Sequence, residues 1–500
     1  MISARWIGFA FAFLVPAVLL ADTGDALTVF RSGDYKSAIP LLQASAAKTP
    51  QDPLLAAALL SALVYEGRVD EASDAAEADA SAFPNSPEVI AARGEFAYYM
   101  SDMAEAEKLF RAAIKLKEAT PRAYYGLYRM FRAASLYKSA RILCLRAHEI
   151  DPDDALITLA FLHYLAPKQR EQLAGPFRSA HPWFYTHFDR DQQTSAGVKE
   201  ELNGRKIFEL EGGQQETTIP LIYLKTDATH LQGIGLEVSI EGSKPLRLLL
   251  DTGASGILIT QKTADKAGLN HVGSFEIRGI GDQGARTAFI AVAETCKIAT
   301  LTYKTCIFQA AEGKRRIAGD VDGLIGADFF SDYLIQIDFQ RRRLHLTPLP
   351  ERPPNPQGYD RVIAPEEKSF TPIFRYGGHL FVQTKVNNKT WGLFLLDTGA
   401  QFSNLDATFA RLSTKIYGDD FFHVEGVSGS VKKVYAADKA ELQFGHFRQS
   451  NLGITVFDLN NTPEHQDFRM AGTLGFPVLS MFRLTLDYRN GLVNFDYILK

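Results

Sequence analysis

Cysteine is scarce in this chain: three residues among 500 cannot build a multi-bridge scaffold, and no C-x-x-C pair is present to hold structural zinc. Neither sign of charge dominates. With 54 Lys and Arg against 58 Asp and Glu the formal net charge is -4, so no broad basic field exists to hold a phosphate backbone, and no nucleic-acid partner is expected. H-E-x-x-H and G-x-S-x-G are both absent, which removes the main support for metallo- and serine-hydrolase chemistry. The apolar run at residues 6–20 is short of the roughly 20 residues that a membrane-spanning helix needs. What is present is ordinary globular usage, 46% hydrophobic and 22% charged, over a length that predicts about three domains.

Arg5 precedes that apolar run and small residues follow it, in Ala21-Asp22-Thr23-Gly24-Asp25-Ala26, which is the order of a secretory signal. Export to a periplasmic or extracellular space is expected. The alternative is an uncleaved anchor, and only then would the chain contact a membrane.

A shift of 34 residues then brings Ala38, Ala72, Ala106 and Ala140 into register, preceded by Gly33, Gly67, Ser101 and Ser135. Pro50, Pro84 and Pro152 share a further position, and Pro121 reads as the same proline displaced by three residues. Small residues let paired helices approach, and proline ends the second helix, so each unit reads as helix, turn, helix. Gly33-Asp34-Tyr35-x-x-Ala38 and Gly67-Arg68-Val69-x-x-Ala72 resemble the tetratricopeptide repeat over about residues 25–155, with a capping helix expected at 154–165. The resemblance implies a superhelix whose concave face takes a peptide or protein partner; a supporting scaffold is the competing reading.

From about Thr217 the hydrophobic period changes to that of strands, and one plan occurs twice. Leu246-Arg247-Leu248-Leu249-Leu250 ends at Asp251, and Leu393-Phe394-Leu395-Leu396 ends at Asp397, 146 residues on. Gly323-Leu324-Ile325-Gly326 and Gly472-Thr473-Leu474-Gly475 follow at nearly equal distances, each leading to an aspartate 12 positions later, Asp338 and Asp487. The expected order is a signal region at 1–26, helical repeats at 27–165, a connecting segment at 166–214, a first β lobe at 215–347, a proline-rich linker at 348–362 and a second β lobe at 363–500. The predicted fold class is an all-α repeat array followed by an all-β, two-lobed unit.

Each apolar strand ends in Asp-Thr-Gly-Ala. Hydrolysis of a peptide bond without metal or nucleophilic side chain needs one group to take a proton from water and another to give one to the carbonyl oxygen. Two carboxyls held about 3 Å apart share a proton and supply both roles. Asp251-Thr252-Gly253-Ala254 and Asp397-Thr398-Gly399-Ala400 resemble the aspartic peptidase signature over about residues 215–498, closer to the retropepsins than to pepsin because alanine follows the glycine. The resemblance implies Asp251 and Asp397 as catalytic residues, with Thr252 and Thr398 bonding the opposite loop and Gly253 and Gly399 permitting its tight turn. It also implies a polypeptide substrate and no cofactor or metal. Without the usual serine hydroxyl at Ala254 and Ala400, a mildly acid activity optimum is expected. Gln401 stands opposite Ser255 and makes the two loops unequal.

A cleft of this kind needs a cover, and two glycine-bearing hairpins are the candidate flaps: Gly279, Gly281 and Gly284 in lobe one, Gly426 and Gly429 in lobe two. Gly279-x-Gly281-x-x-Gly284 also fits a dinucleotide pattern, but a strand-like run follows it where that motif needs a helix. Arg341-Arg342-Arg343 reads as a solvated turn, and His379 and His423 have no second ligand at metal spacing. Cys296 and Cys306, equidistant from Leu301 in a predicted hairpin, are a candidate disulfide, and Cys144 reads as core packing. These observations predict an exported aspartic-type endopeptidase; the alternatives are a catalytically silent peptide-binding adaptor that keeps the protease fold, and an assembly factor dominated by the repeats.

Overall fold

The structure, a computed structural model, describes residues 23–182, 202–225, 231–240, 243–313, 321–351, 358–418, 423–460 and 467–498. Ten helices open the described chain in pairs: α1 (Thr23–Arg31) and α2 (Tyr35–Lys48), α3 (Pro53–Tyr65) and α4 (Val69–Ala82), α5 (Pro87–Tyr99) and α6 (Met103–Leu116), α7 (Pro121–Ala133) and α8 (Tyr137–Ile150), α9 (Ala155–Leu162) and α10 (Pro167–Ala180). Ala38, Ala72, Ala106 and Ala140 are fully buried, as close helix packing requires. Among the described residues no helix is long and apolar enough to cross a membrane, and the run at 6–20 lies outside them.

Three expectations are corrected here. Pro121 is not a displaced copy of Pro50, Pro84 and Pro152: it opens α7 as Pro53 opens α3 and Pro87 opens α5, at the first helical position, where the missing N–H has no helical partner to lose. The segment read as a connector at 166–214 contains α10, and a helix pair stands where one capping helix was expected, because Pro167 also starts a helix. Residues 23–26, placed in the signal region, belong to α1, whose Ala26 is fully buried in the first repeat.

The array closes on itself. Arg31 at the end of α1 pairs with Asp151 at 3.4 Å, and His181 Nδ1 meets the Ser32 carbonyl at 3.0 Å. Between these ends the interior is filled by side chains from successive helices. Arg122 donates to Asp154 at 2.6 Å and to the Tyr35 hydroxyl at 3.1 Å, lies 3.4 Å from Glu95, and stacks 4.7 Å from the Phe30 ring centroid. Arg129 lies 4.2 Å over Tyr98. Buried charges are tolerated only when paired, and each of these has an opposite charge beside it, Arg122 with Asp154 and Glu95 and Arg129 with Asp467.

After the helices the described chain is made of β-sheets. Lobe one is a nine-stranded sheet and lobe two an eight-stranded sheet; a six-stranded sheet joins them, with Tyr333–Asp338 of the first lobe antiparallel to Phe482–Asp487 of the second. Ile335, Ile337, Leu484 and Leu486 are fully buried at that junction. Asp338 and Asp487 close the turns that follow, accepting from the amides of Arg341 at 2.8 Å and Asn490 at 3.0 Å.

Repeats three and four sit on lobe two. Ile90, Tyr98, Met103, Leu127 and Met130 form one apolar cluster with Phe381, Leu393, Leu395 and Phe468. Around it Tyr98 and Tyr376 share a hydroxyl–hydroxyl bond of 2.6 Å, Arg129 donates to the Asp467 carbonyl at 2.7 Å, and the Arg469 amide donates to the Tyr99 carbonyl at 2.6 Å. The described part of the proline-rich linker is not a free spacer: Asp360 accepts from the Ser139 amide at 2.8 Å and hydroxyl at 2.9 Å, and Arg361 donates to the Ala134 carbonyl. Residues 352–357 of that linker lie outside the described residues.

Candidate active site

Each strand that ends in a candidate aspartate is locked in the middle of its lobe. Leu246–Asp251 runs parallel to Gly323–Gly326, which places Asp251 beside Gly326, and Thr390–Asp397 runs parallel to Gly472–Gly475, which places Asp397 beside Gly475. The alternate residues Leu248, Leu250, Phe394 and Leu396 are fully buried, so each aspartate ends a rigid strand at the boundary between apolar core and cleft.

The two Asp-Thr-Gly loops meet tip to tip. The Thr252 amide donates to Thr398 Oγ1 at 3.0 Å and the Thr398 amide to Thr252 Oγ1 at 3.0 Å, while the two hydroxyls donate across the junction to the carbonyls of Leu396 at 2.6 Å and Leu250 at 2.7 Å. Both amides and both hydroxyls of the pair are thereby satisfied, and both threonines are fully buried. Gly253 and Gly399 are required for the contact itself. A Cβ on Gly253 would lie 2.6 Å from Asp397 Cγ, and one on Gly399 would lie 2.5 Å from Asp251 Cγ.

The carboxyls are nearly buried and electrostatically coupled, but they are not equivalent. Within its own loop Asp251 Oδ1 accepts the Gly253 amide at 2.8 Å, whereas Asp397 Oδ1 accepts two amides, Gly399 and Ala400, each at 2.9 Å. Burial pushes the Asp251 carboxyl well above the ordinary range, and the neighbouring Asp397 charge pushes it further. Burial also raises Asp397, but the bond from Asp251 and the two amides oppose it. Both carboxyls are thus raised by burial and titrate as one coupled pair, with Asp397 the better supplied with amide donors from its own loop.

The loops differ beyond the alanines as well. Ser255 Oγ donates to Asp328 Oδ2 at 2.5 Å and the Gly256 amide to Asp328 Oδ1 at 3.0 Å, anchoring lobe one to the turn after Gly326. The corresponding residue after Gly475 is Pro477, which has no acceptor side chain, and Gln401 is exposed; there the Gly475 amide instead donates to Ser403 Oγ at 3.0 Å. Asp328 was not singled out from sequence, although its place two residues after the downstream glycine is the signal that would have found it.

The candidate flaps are brought together. Residues 278–284 form the tip between Asn270–Ile277 and Arg286–Ile298, so a strand follows the glycine pattern, and Glu425–Gly426 pairs with Gly429–Ser430 opposite. The Ser428 amide donates to the Ile280 carbonyl at 3.0 Å, its carbonyl accepts from Gln283 at 2.8 Å, and its hydroxyl accepts from the Gly279 amide at 3.1 Å. Asp282 adds a bond from the Lys432 amide at 2.7 Å. Gly281, at φ 130°, has no room for a Cβ against the backbone of Ser428 and Gly429, and Gly429, at φ 93°, has none against the Gln283 side chain. Gly426 meets Ile280 in the same way, while Gly284, at φ 80°, has open space around it. Ser428, the hub of this junction, was missed because a small polar residue in a hairpin carries no pattern.

Cys296 and Cys306 are joined, with Cα atoms 6.1 Å apart. They are not directly opposed: the two-residue turn at Ala299 and Thr300 pairs Ile298 with Leu301, so Cys296 faces Tyr303 and Cys306 faces Ala293. The hairpin centre expected at Leu301 is thus displaced by the turn. Cys144 is buried in the fourth repeat, and burial pushes its thiol up to about 12, away from nucleophilic use.

Residues 236–329 match a family model described as aspartyl protease, a stretch holding Asp251, the lobe-one flap and Gly323–Gly326. Residues 29–95 match a tetratricopeptide repeat model. A search of curated proteins finds no match. Asp397 lies outside the first match, and its equivalence to Asp251 rests on the register and hydrogen bonds above. The chain accordingly joins tetratricopeptide repeats to an aspartyl protease-like domain.

Proposed function

We propose that the protein is an aspartic-type endopeptidase. The observation that carries this reading is the pair of unequal buried carboxyls at the meeting of two interlocked loops. A water held between them would lose a proton to Asp397 as its oxygen attacks the peptide carbonyl carbon, while Asp251 gives its proton to the carbonyl oxygen. The resulting gem-diol collapses as a proton passes to the amide nitrogen, the C–N bond breaks, and the dyad returns to one proton. The roof formed by residues 279–283 and 426–430 supports an extended substrate in a site shielded from bulk water.

The repeats, in this reading, brace lobe two. Their interior is occupied by Arg122, Arg129 and their partners, which directs any protein partner to the outer helices rather than to a concave groove. Export is supported by the signal-like residues 1–22 and by the disulfide, which suits an oxidising compartment. Because Thr23–Arg31 belong to α1, processing within that stretch would cut into the first repeat.

The test is cleavage of a diverse peptide library by the mature chain across pH, with and without pepstatin, beside Asp251→Asn and Asp397→Asn. Cleavage by the wild type that disappears in both folded variants is expected. Some retropepsin-like enzymes resist pepstatin, so the variants decide the question. A folded wild type that cleaves nothing at any pH, or an Asp251→Asn protein with full activity, overturns the proposal.

A further inference from the structure

One position beside the dyad breaks the twofold plan. In lobe one the Asp251 strand pairs with Leu231–Ile240, and continuing the Gly235↔Leu249 register by two residues sets Gly233 across from Asp251. In lobe two the Asp397 strand pairs with His379–Val386, and continuing Phe381↔Leu395 by two residues sets His379 across from Asp397. The position borders the opposite catalytic loop: a Cβ on Gly233 would lie 2.8 Å from Leu249 Cδ1 and 3.8 Å from the Thr398 carbonyl oxygen. Lobe one keeps it empty of side chain. Lobe two has a histidine at that place.

The hairpin that delivers His379 reaches the same place. A Cβ on its Gly378 would lie 2.6 Å from Ser255 Oγ, and it would also touch Asp328 Oδ2, so the backbone beside His379 is packed directly on the lobe-one loop. His379 is half-buried, and a charge there acts on its neighbours partly through protein, where screening is weaker than in water. The other ionisable groups packed at this end are Asp251 and Asp328 from lobe one, and Arg375, Tyr376 and Tyr488 from lobe two. Arg375 is committed to the Tyr488 carbonyl at 2.8 Å and the Tyr137 hydroxyl at 3.1 Å, and Tyr376 to Tyr98.

We propose that His379 is a positioning residue of the dyad: its imidazolium holds the shared negative charge on Asp397 and so leaves the proton on Asp251. The proposal rests on the peptidase reading for its catalytic meaning. Burial raises the Asp397 carboxyl; the bond from Asp251, the amides of Ala400 and Gly399, and the charge of His379 oppose that rise. Its influence falls on the step in which the singly charged dyad takes up its second proton. Removing the positive charge must move that step to higher pH.

The experiment compares wild type, His379→Gln, His379→Phe and His379→Lys. The carboxyl carbon-13 resonances of Asp251 and Asp397, assigned through Asp251→Asn and Asp397→Asn, are titrated without substrate, and the pH profile of kcat/KM is recorded in parallel. In the glutamine and phenylalanine variants the acid step is expected to rise by about half a pH unit, which lowers kcat/KM about threefold on the acid side of the limb. Lysine is expected to restore it. The phenylalanine variant keeps ring bulk and carries the test should glutamine fail to fold, as judged by circular dichroism. An unshifted acid step in a folded uncharged variant, or an equal shift in the lysine variant, overturns the proposal. A protein whose carboxyls titrate as stated yet cleaves nothing overturns only the peptidase reading.

Discussion

The Leu393 amide donates to the Ser101 hydroxyl oxygen at 3.1 Å, and this bond joins the turn of the third repeat to the strand that ends in Asp397. Ser101 occupies the place of Gly33 and Gly67 in the earlier repeats, and like them it has positive φ, 61° against 83° and 68°. Ser135, the fourth copy, has φ 59° and lies against Gly491 of lobe two. A side chain in the left-handed region is held against a steric preference of about 1 kcal/mol. Both serines thus stand where a repeat meets the β domain.

Ser101→Ala keeps the strained backbone and leaves the buried Leu393 amide without its acceptor, so a loss of about 1–2 kcal/mol is expected. Ser101→Gly also loses the acceptor but relieves the backbone, and it should lie closer to wild type. Urea denaturation orders the three proteins. An alanine variant more stable than the glycine variant would show that the turn is not under this constraint.

Both dyad carboxyls titrate above their ordinary values because of burial. The folded state thus holds protons that the unfolded chain releases, and stability contributed by the protonated dyad is lost as pH rises from about 4 through the raised folded values. Asp251→Asn removes one of the two ionising groups. It should be more stable than wild type by about 1 kcal/mol at neutral pH, with the difference narrowing toward about pH 4. Thermal melts of both proteins across pH are the check, and a variant less stable at neutral pH contradicts the assignment.

Arg122→Met would leave Glu95 and Asp154 buried without their counter-charge, at an expected cost of about 3 kcal/mol or more. Adding Glu95→Gln should recover part of that loss. If the single variant melts like wild type, the interior of the array is wetter than its buried side chains indicate.

The Cys296–Cys306 bond closes a segment with a sequence separation of 10, for which loop-closure entropy gives about 2–3 kcal/mol. Reduction, or the double serine variant, should lower the denaturation midpoint by that amount. No change on reduction would mean that the hairpin is held by its sheet bonds alone.

Much of the site was legible because duplication wrote it twice. Asp251 and Asp397 end matching apolar strands, and the threonines bond across lobes as the resemblance implied. Repeat period and helix pairs were also readable, since buried alanines recur at fixed spacing. The failures have local causes. Proline both ends and begins helices, so sequence places Pro121 at the wrong terminus and does not reveal α10. Contacts between distant segments leave no period: Ser428 at the flaps, Asp328 behind the lobe-one loop and Ser101 on Leu393 are single polar residues whose roles exist only once the chain is folded.

The contact of Arg31 with Asp151, and of Ser32 with His181, has a consequence for how such a chain can change. An open solenoid can gain or lose a unit at its end, since each repeat touches only its neighbours. Here the first pair of helices abuts the last, and the third and fourth are seated on lobe two. A further unit would separate Arg31 from Asp151 or shift Ser101 away from Leu393. The number of repeats is therefore a fixed dimension of the molecule, and the array is free to vary in sequence on its outer helices but not in length.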